Sequence, residues 1–188
     1  ELGKCRYDRG TDGKLQHVLT SPDVVSLRLI AMGWSVTGLL DIIASPGEED
    51  PVYHALIDTG ALVTGMSNLE VASYLLTKGL EWAEGVVFLD ELDRKMILLR
   101  DGLKVVPLHQ CDIHKSKRFA FYDQVHTTGM DIQHALNAKA VLTLGKDMTF
   151  RDYAQGAYRM RGIGQGQRIK LYIIPEAARL MSSQLRMA

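Results

Sequence analysis

From residue 54 onward, short and nearly continuous apolar runs alternate with stretches whose apolar residues recur at helical spacing, and this alternation narrows the possible folds more than any other feature. The runs at 54–58 (HALID), 85–89 (GVVFL), 95–99 (KMILL), 119–122, 140–144 and 168–174 read as strands. Residues 67–78 (SNLEVASYLLTK) and 150–160 read as helices, the first opened by Ser67 with Glu70 three residues later, the form of a capping box. Strands with no polar face must be covered on both sides, so the pattern predicts an α/β domain with a mostly parallel sheet between helical layers.

Ahead of that region the text changes character. Residues 1–20 are polar, punctuated by Gly3, Gly10 and Gly13, and without period, which predicts a flexible arm. Ser21-Pro22-Asp23 has the form of a helix start, and the apolar residues from Val24 to Ile30 and from Trp34 to Ile43 predict a helical extension over 21–50. The α/β domain then occupies 51–188. With 22 basic and 22 acidic side chains there is no net field to draw in nucleic acid or an anionic membrane, so any such contact must be local. No apolar run approaches the roughly 18 residues of a membrane span. Cys5 and Cys111 lie far apart without CxxC spacing, which points to a reducing, intracellular setting. The chain begins without Met, as a fragment of something longer would.

The chemistry concentrates in 127–174. A Thr-Thr-Gly-Met-Asp-Ile loop precedes a strand, then a helix bearing Gln155, Arg159 and Arg161, then Gly162-Ile163-Gly164-Gln165-Gly166 and a last strand. This order resembles motifs V and VI of superfamily-two helicases and chromatin-remodelling ATPases. Thr128-Gly129-Met130-Asp131-Ile132 is similar to the "RGxDI" loop, and 155–165 resembles the "QxxxRxxRxGQ" arginine helix. The resemblance implies a RecA-like three-layer fold and the role of a second motor lobe. Gln155, Arg159 and Arg161 would then be the catalytic set, and Thr127, Thr128, Gly129 and Asp131, with Asp123 nearby, the nucleotide-cleft loop. It also implies ATP and Mg²⁺ held only together with an N-terminal RecA-like lobe of the same or another chain, and a nucleic acid or protein as the substrate moved. Arg161 stands one residue early, with Gly162 at the second arginine's place, a rotation of about 100° on an α-helix.

A closer resemblance, over about 54–175, is to very large eukaryotic proteins of fungi, oomycetes and protists, many described as ubiquitin hydrolases. His126-Thr-Thr-Gly-Met-Asp, Leu142-Thr-Leu-Gly and the Arg159-Met-Arg spacing carry it. That family has the same Arg-x-Arg spacing and a "GEGK" phosphate loop far upstream. It raises an alternative, a thiol hydrolase using Cys111 and His126, and a third reading is a RecA-like domain that only mediates interactions.

Several local matches compete with these readings. No GxxxxGK[ST] or GxGxxG occurs, so the chain is not expected to hydrolyse ATP alone. Asp90-Glu91 after 85–89 has a Walker B look, set against a solvated turn between two strands. Ala55-Leu56-Ile57-Asp58-Thr59-Gly60-Ala61 matches the signature of retroviral-type aspartic proteases, whose paired carboxylates share a proton. The helix expected directly afterwards favours a strand-to-loop turn at the carboxyl edge of a parallel sheet instead. Cys111, His109 and His114 lack the second ligand pair of a zinc site. Lys115, Lys117 and Arg118 form a short basic cluster without aromatic neighbours, as a solvated loop would.

Overall fold

A computed structural model of the chain describes residues 10–47, 52–127 and 130–186. In chain order the described elements are α1 (Thr11–Thr20), β1 (Val25–Leu29), α2 (Val36–Ala44), β2 (Ala55–Ile57), α3 (Asn68–Lys78), β3 (Gly85–Leu89), β4 (Lys95–Leu99), β5 (Val105–Pro107), β6 (Arg118–Tyr122), β7 (Lys139–Leu144), α4 (Phe150–Ala157), β8 (Arg168–Ile173) and α5 (Pro175–Leu185). The strands form one sheet in the order β1-β8-β7-β2-β6-β3-β4-β5. Every pairing from β1 across to β3 is parallel, and β3–β4 and β4–β5 are antiparallel.

Alternate residues of each central strand feed two cores, as the two-residue period requires. Leu56, Val86, Phe119, Phe121 and Val141 pack on one face beneath α2, α3 and α5. Ala55, Ile57, Val87, Ala120, Tyr122 and Leu142 pack on the other beneath α1, α4 and the 132–138 segment. The result is a three-layer α/β arrangement, in which β2 and β3 are buried along their whole length because helices or loops cover both sides. No described helix is long and apolar enough to cross a membrane.

Local chemistry sets the element ends. The Ser67 hydroxyl accepts from the Glu70 N–H while the Glu70 carboxylate accepts from the Ser67 N–H, the expected capping box. Thr149 and Asp152 repeat it at α4. The carbonyls at the far end of α3 are met by Arg100, whose guanidinium donates to Leu76, Gly79, Leu80 and Ala83. Between β3 and β4, Asp90 accepts from the Leu92 and Arg94 N–H groups and from the Arg94 guanidinium. Asp90 is therefore the organiser of a turn, and its carboxylate is occupied there rather than free for a metal.

The N-terminal expectations need correction. Residues 11–20 are helix α1 rather than arm: Leu19 is buried, and its carbonyl accepts from the Tyr153 hydroxyl at 2.8 Å. Residues 1–9 lie outside the described residues. Within 21–50, α2 is helical as expected, but Val25–Leu29 is a strand pairing in parallel with β8. The apolar positions 24, 25, 27, 29 and 30 fit either period, and an open sheet edge decided between them.

Candidate functional site

At the middle of the sheet β2 and β7 are neighbours whose outgoing chains part. The chain after β2 leads to α3 on one face, and the chain after β7 leads to α4 on the other. In open α/β sheets such a divergence opens a crevice at the carboxyl edge. Here the crevice has a volume of about 540 Å³ and is lined by Thr59, Gly60 and Ala61 after β2, by Gln124, Val125 and Thr127 after β6, by residues 145–148 after β7, and by Asp152 and Gln155 of α4.

Its floor is a hydrogen-bonded knot. The Asp58 carboxylate accepts from the Leu62 N–H (3.0 Å), the Val63 N–H (2.9 Å) and the Thr143 hydroxyl (2.7 Å), and the Thr143 oxygen accepts from the Gly60 N–H (2.9 Å). Burial pushes the Asp58 carboxyl above its ordinary pKa, against the pull of those donors, and the Asp123 charge adds to the rise. At 1% exposure, with three donors in place, Asp58 is a structural residue of the loop. The protease-like signature thus marks a strand-to-loop turn. Gly60 and Gly145 let the two loops touch main chain to main chain, since a Cβ on either would lie 2.6 Å or less from a backbone atom of the other.

The arginine segment follows α4 on a turn, and neither Arg159 nor Arg161 is among the residues that line this crevice. α4 ends at Ala157, three residues short of the expected end, so Arg159 and Arg161 follow the helix and helical rotation does not set their relation. Arg159 is 8% exposed, and its guanidinium donates to the Met130 carbonyl while its Nε is buried without a partner. Burial, then the Arg161 charge, lowers its pKa from the ordinary arginine value. Arg161, 58% exposed, places its Nε 3.1 Å from the Asp131 carboxylate. Both arginines therefore converge on the 130–131 part of the expected cleft loop; Thr128 and Gly129 lie outside the described residues. Gln155 is exposed on the crevice wall and Thr127 is buried in it. The turn is locked by Gln167, which accepts from the Gly162 N–H and donates to the Ala135 carbonyl, both at 2.8 Å.

Asp123 and His126 form a second cluster. One ring nitrogen of His126 faces the Asp123 carboxylate and the other lies 2.8 Å from Asp93. Burial works to lower the His126 pKa, but the two carboxylates outweigh it and the net shift is upward. With both nitrogens occupied, His126 has no free lone pair to activate a thiol. Cys111 lies half-buried against the β4–β6 side of the core, its carbonyl accepting from Arg118 at 3.4 Å. Among the described residues no hydrogen bond joins it to His126. Arg118 also donates to the Ile113 carbonyl, so this member of the basic cluster is turned into the loop.

Sequence reasoning missed Lys146 and Gln124. Lys146 had an available signal, since it follows a buried strand and precedes the Thr149–Asp152 cap, the position at which a parallel strand delivers residues to the carboxyl edge. Among the described residues no group of three or more His, Cys, Asp or Glu side chains is placed to hold a metal. Searches of family models, of curated proteins and of solved structures found nothing that matches this chain.

Proposed function

We propose that the chain is a RecA-like second lobe of a helicase- or translocase-type ATPase, which closes on a partner lobe and brings arginine to the γ-phosphate of ATP. The observation that carries this reading is the convergence of Arg159 and Arg161 on residues 130–131, in the turn that follows α4, whose Gln155 lines the β2–β7 crevice. The exposed donors Arg161, Lys146 and Gln155 suit an anion. In this reading Mg²⁺ and the phosphate loop belong to the partner lobe. Bound ATP supplies a γ-phosphoryl group on which negative charge builds during transfer, and fixed guanidinium groups stabilise it without reorganising.

The two arginines divide the work. Arg159, covered and bonded to the main chain, sets the shape of the loop and is a positioning residue. Arg161, held by one exposed carboxylate, is the group presented across the lobe interface. Gln155 faces the same crevice and orients what enters it. A nucleic acid or protein strand gripped between two such lobes would be the substrate moved.

The test is ATP turnover by the intact assembly that includes the phosphate-loop lobe. Arg161→Ala lowers turnover by about 10³-fold or more, and Arg161→Lys fails to restore it. Turnover within threefold of wild type in Arg159→Ala and Arg161→Ala alike overturns the proposal. So does ubiquitin-conjugate cleavage that Cys111→Ala abolishes and the arginine variants leave intact.

A further inference from the structure

β4 and β5 carry the sheet beyond α3, which packs chiefly on β3. The far face of these strands is covered, because Val106, Leu108, Cys111 and Ile113 pack there into the second core. On the α3 face a second cavity of about 700 Å³ opens between the first turn of α3, the β3–β4 turn and β5. Buried Phe88 and half-buried Met96 line it, and so do Leu69, Leu92 and Val105, which are 43%, 71% and 39% exposed. Single exposed apolar side chains are ordinary, but three gathered around one concavity mark a place that takes an apolar body. The size, and an apolar lining with a few polar groups at the rim, are those of a small-molecule site.

The charges at the rim decide what kind of molecule fits. Arg94 is spent on Asp90, with its Nε at 2.8 Å and its Nη2 at 2.7 Å from the carboxylate. His126 has Asp123 at one ring nitrogen and Asp93 at the other. Glu91 is exposed and makes no hydrogen bond or ion pair with any described residue. Both cationic groups of the cavity are therefore paired, and a carboxylate is left over. An incoming anion would meet that excess as repulsion, whereas a cation would balance it.

We propose that this cavity binds a small amphiphilic cation, an organic ammonium ion whose apolar body lies against Phe88, Met96 and Val105 and whose charged end meets Glu91. The site is distinct from the β2–β7 crevice. Asp123 and His126 line the new cavity, while Gln124, Val125 and Thr127 of the same segment line the crevice. The inference stands independently of the proposed motor role.

Amide chemical shifts of the 188-residue chain, titrated separately with hexylammonium, hexanol and hexanoate to about 10 mM, test it, since the three probes share an apolar tail and differ in charge. Hexylammonium gives saturable shifts at Leu69, Leu92, Met96 and Val105, and binds about threefold or more tighter than hexanol, with hexanoate the weakest of the three. Glu91→Gln, an exposed change that leaves the Asp90 turn intact, brings hexylammonium down to the affinity of hexanol and leaves hexanol unchanged. Hexylammonium that binds no tighter than hexanol, that keeps its advantage in Glu91→Gln, that shifts only crevice residues such as Gly60 and Lys146, or that gives no saturable shift overturns the proposal.

Discussion

A single methyl group on Gly60 probes how the crevice is built. Its Cβ would lie 2.6 Å from the Gly145 nitrogen, 2.8 Å from the Leu144 carbonyl carbon and 3.1 Å from the Thr143 hydroxyl. The first two are main-chain atoms, which no rotamer change can move aside, so the loops after β2 and β7 must separate by roughly 0.8 Å to regain ordinary contact. Gly60 is not in the left-handed region, so the effect is steric rather than conformational. Overpacking of this kind costs about 1–3 kcal/mol. Stretching the 2.9 Å bond from the Gly60 N–H to Thr143 costs about 1 kcal/mol more. At about 2–4 °C per kcal/mol for a chain of this size, Gly60→Ala lowers Tm by about 5–15 °C. Gly13→Ala is the matched control: it lies within α1 with no atom inside 4 Å of its would-be Cβ, and helix propensity raises stability by about 0.5–1 kcal/mol. Melting followed by circular dichroism reads both. A Gly60→Ala midpoint within about 1 °C of the parent refutes the close approach of the two loops.

Three further outcomes follow from the same geometry. Asp58→Ala leaves the Leu62 and Val63 N–H groups and the Thr143 hydroxyl without their acceptor, and urea titration should show a loss of about 2–4 kcal/mol, part of the cost being offset by removal of a buried carboxyl. Arg100→Lys replaces a planar donor serving four carbonyls by a single ammonium; a loss of about 1–3 kcal/mol is expected, and an unchanged urea midpoint would show that the α3 terminus does not depend on it. His126 is raised above its unfolded value of 6.5, so its stabilisation is complete below that pH and fades as pH rises through the folded-state value. The Tm difference between wild type and His126→Gln is therefore largest near about pH 5.5 and shrinks towards about pH 8.5; a difference that grows with pH contradicts the Asp93–His126–Asp123 bridge.

The elements legible in the sequence were those whose signals are local. β2, β3, β6 and β7 announce themselves as short apolar runs, and α3 by its capping box, because burial on both faces and a side-chain cap leave marks within a few residues. β1 was not legible as a strand, since its reason for being one is β8, more than 130 residues away. α1 was hidden by Gly10 and Gly13 and by low amphipathicity; its anchors, Leu19 under α4 and the Tyr153 hydroxyl on its carbonyl, are tertiary. β5 and α5 carried no expectation at all. At the candidate site, Gln155, Arg159 and Arg161 were singled out by the family resemblance, and of the three Gln155 lines the crevice. Spacing did not give their division into a buried and an exposed arginine, because that depends on where α4 stops and on Gln167 holding the turn that follows. Asp58 shows the reverse case, a familiar motif whose carboxylate is consumed by its own loop.

Amide chemical shifts of the labelled chain within the assembly that includes the phosphate-loop lobe, titrated with Mg²⁺ and a non-hydrolysable ATP analogue to about millimolar concentration, test the assignment of the crevice most directly. The account expects saturable shifts clustered at Gly60, Gly145, Lys146, Gln155 and Arg161, weakened in Arg161→Ala. Shifts confined to the opposite, amino-terminal edge of the sheet, or none at all, would contradict it.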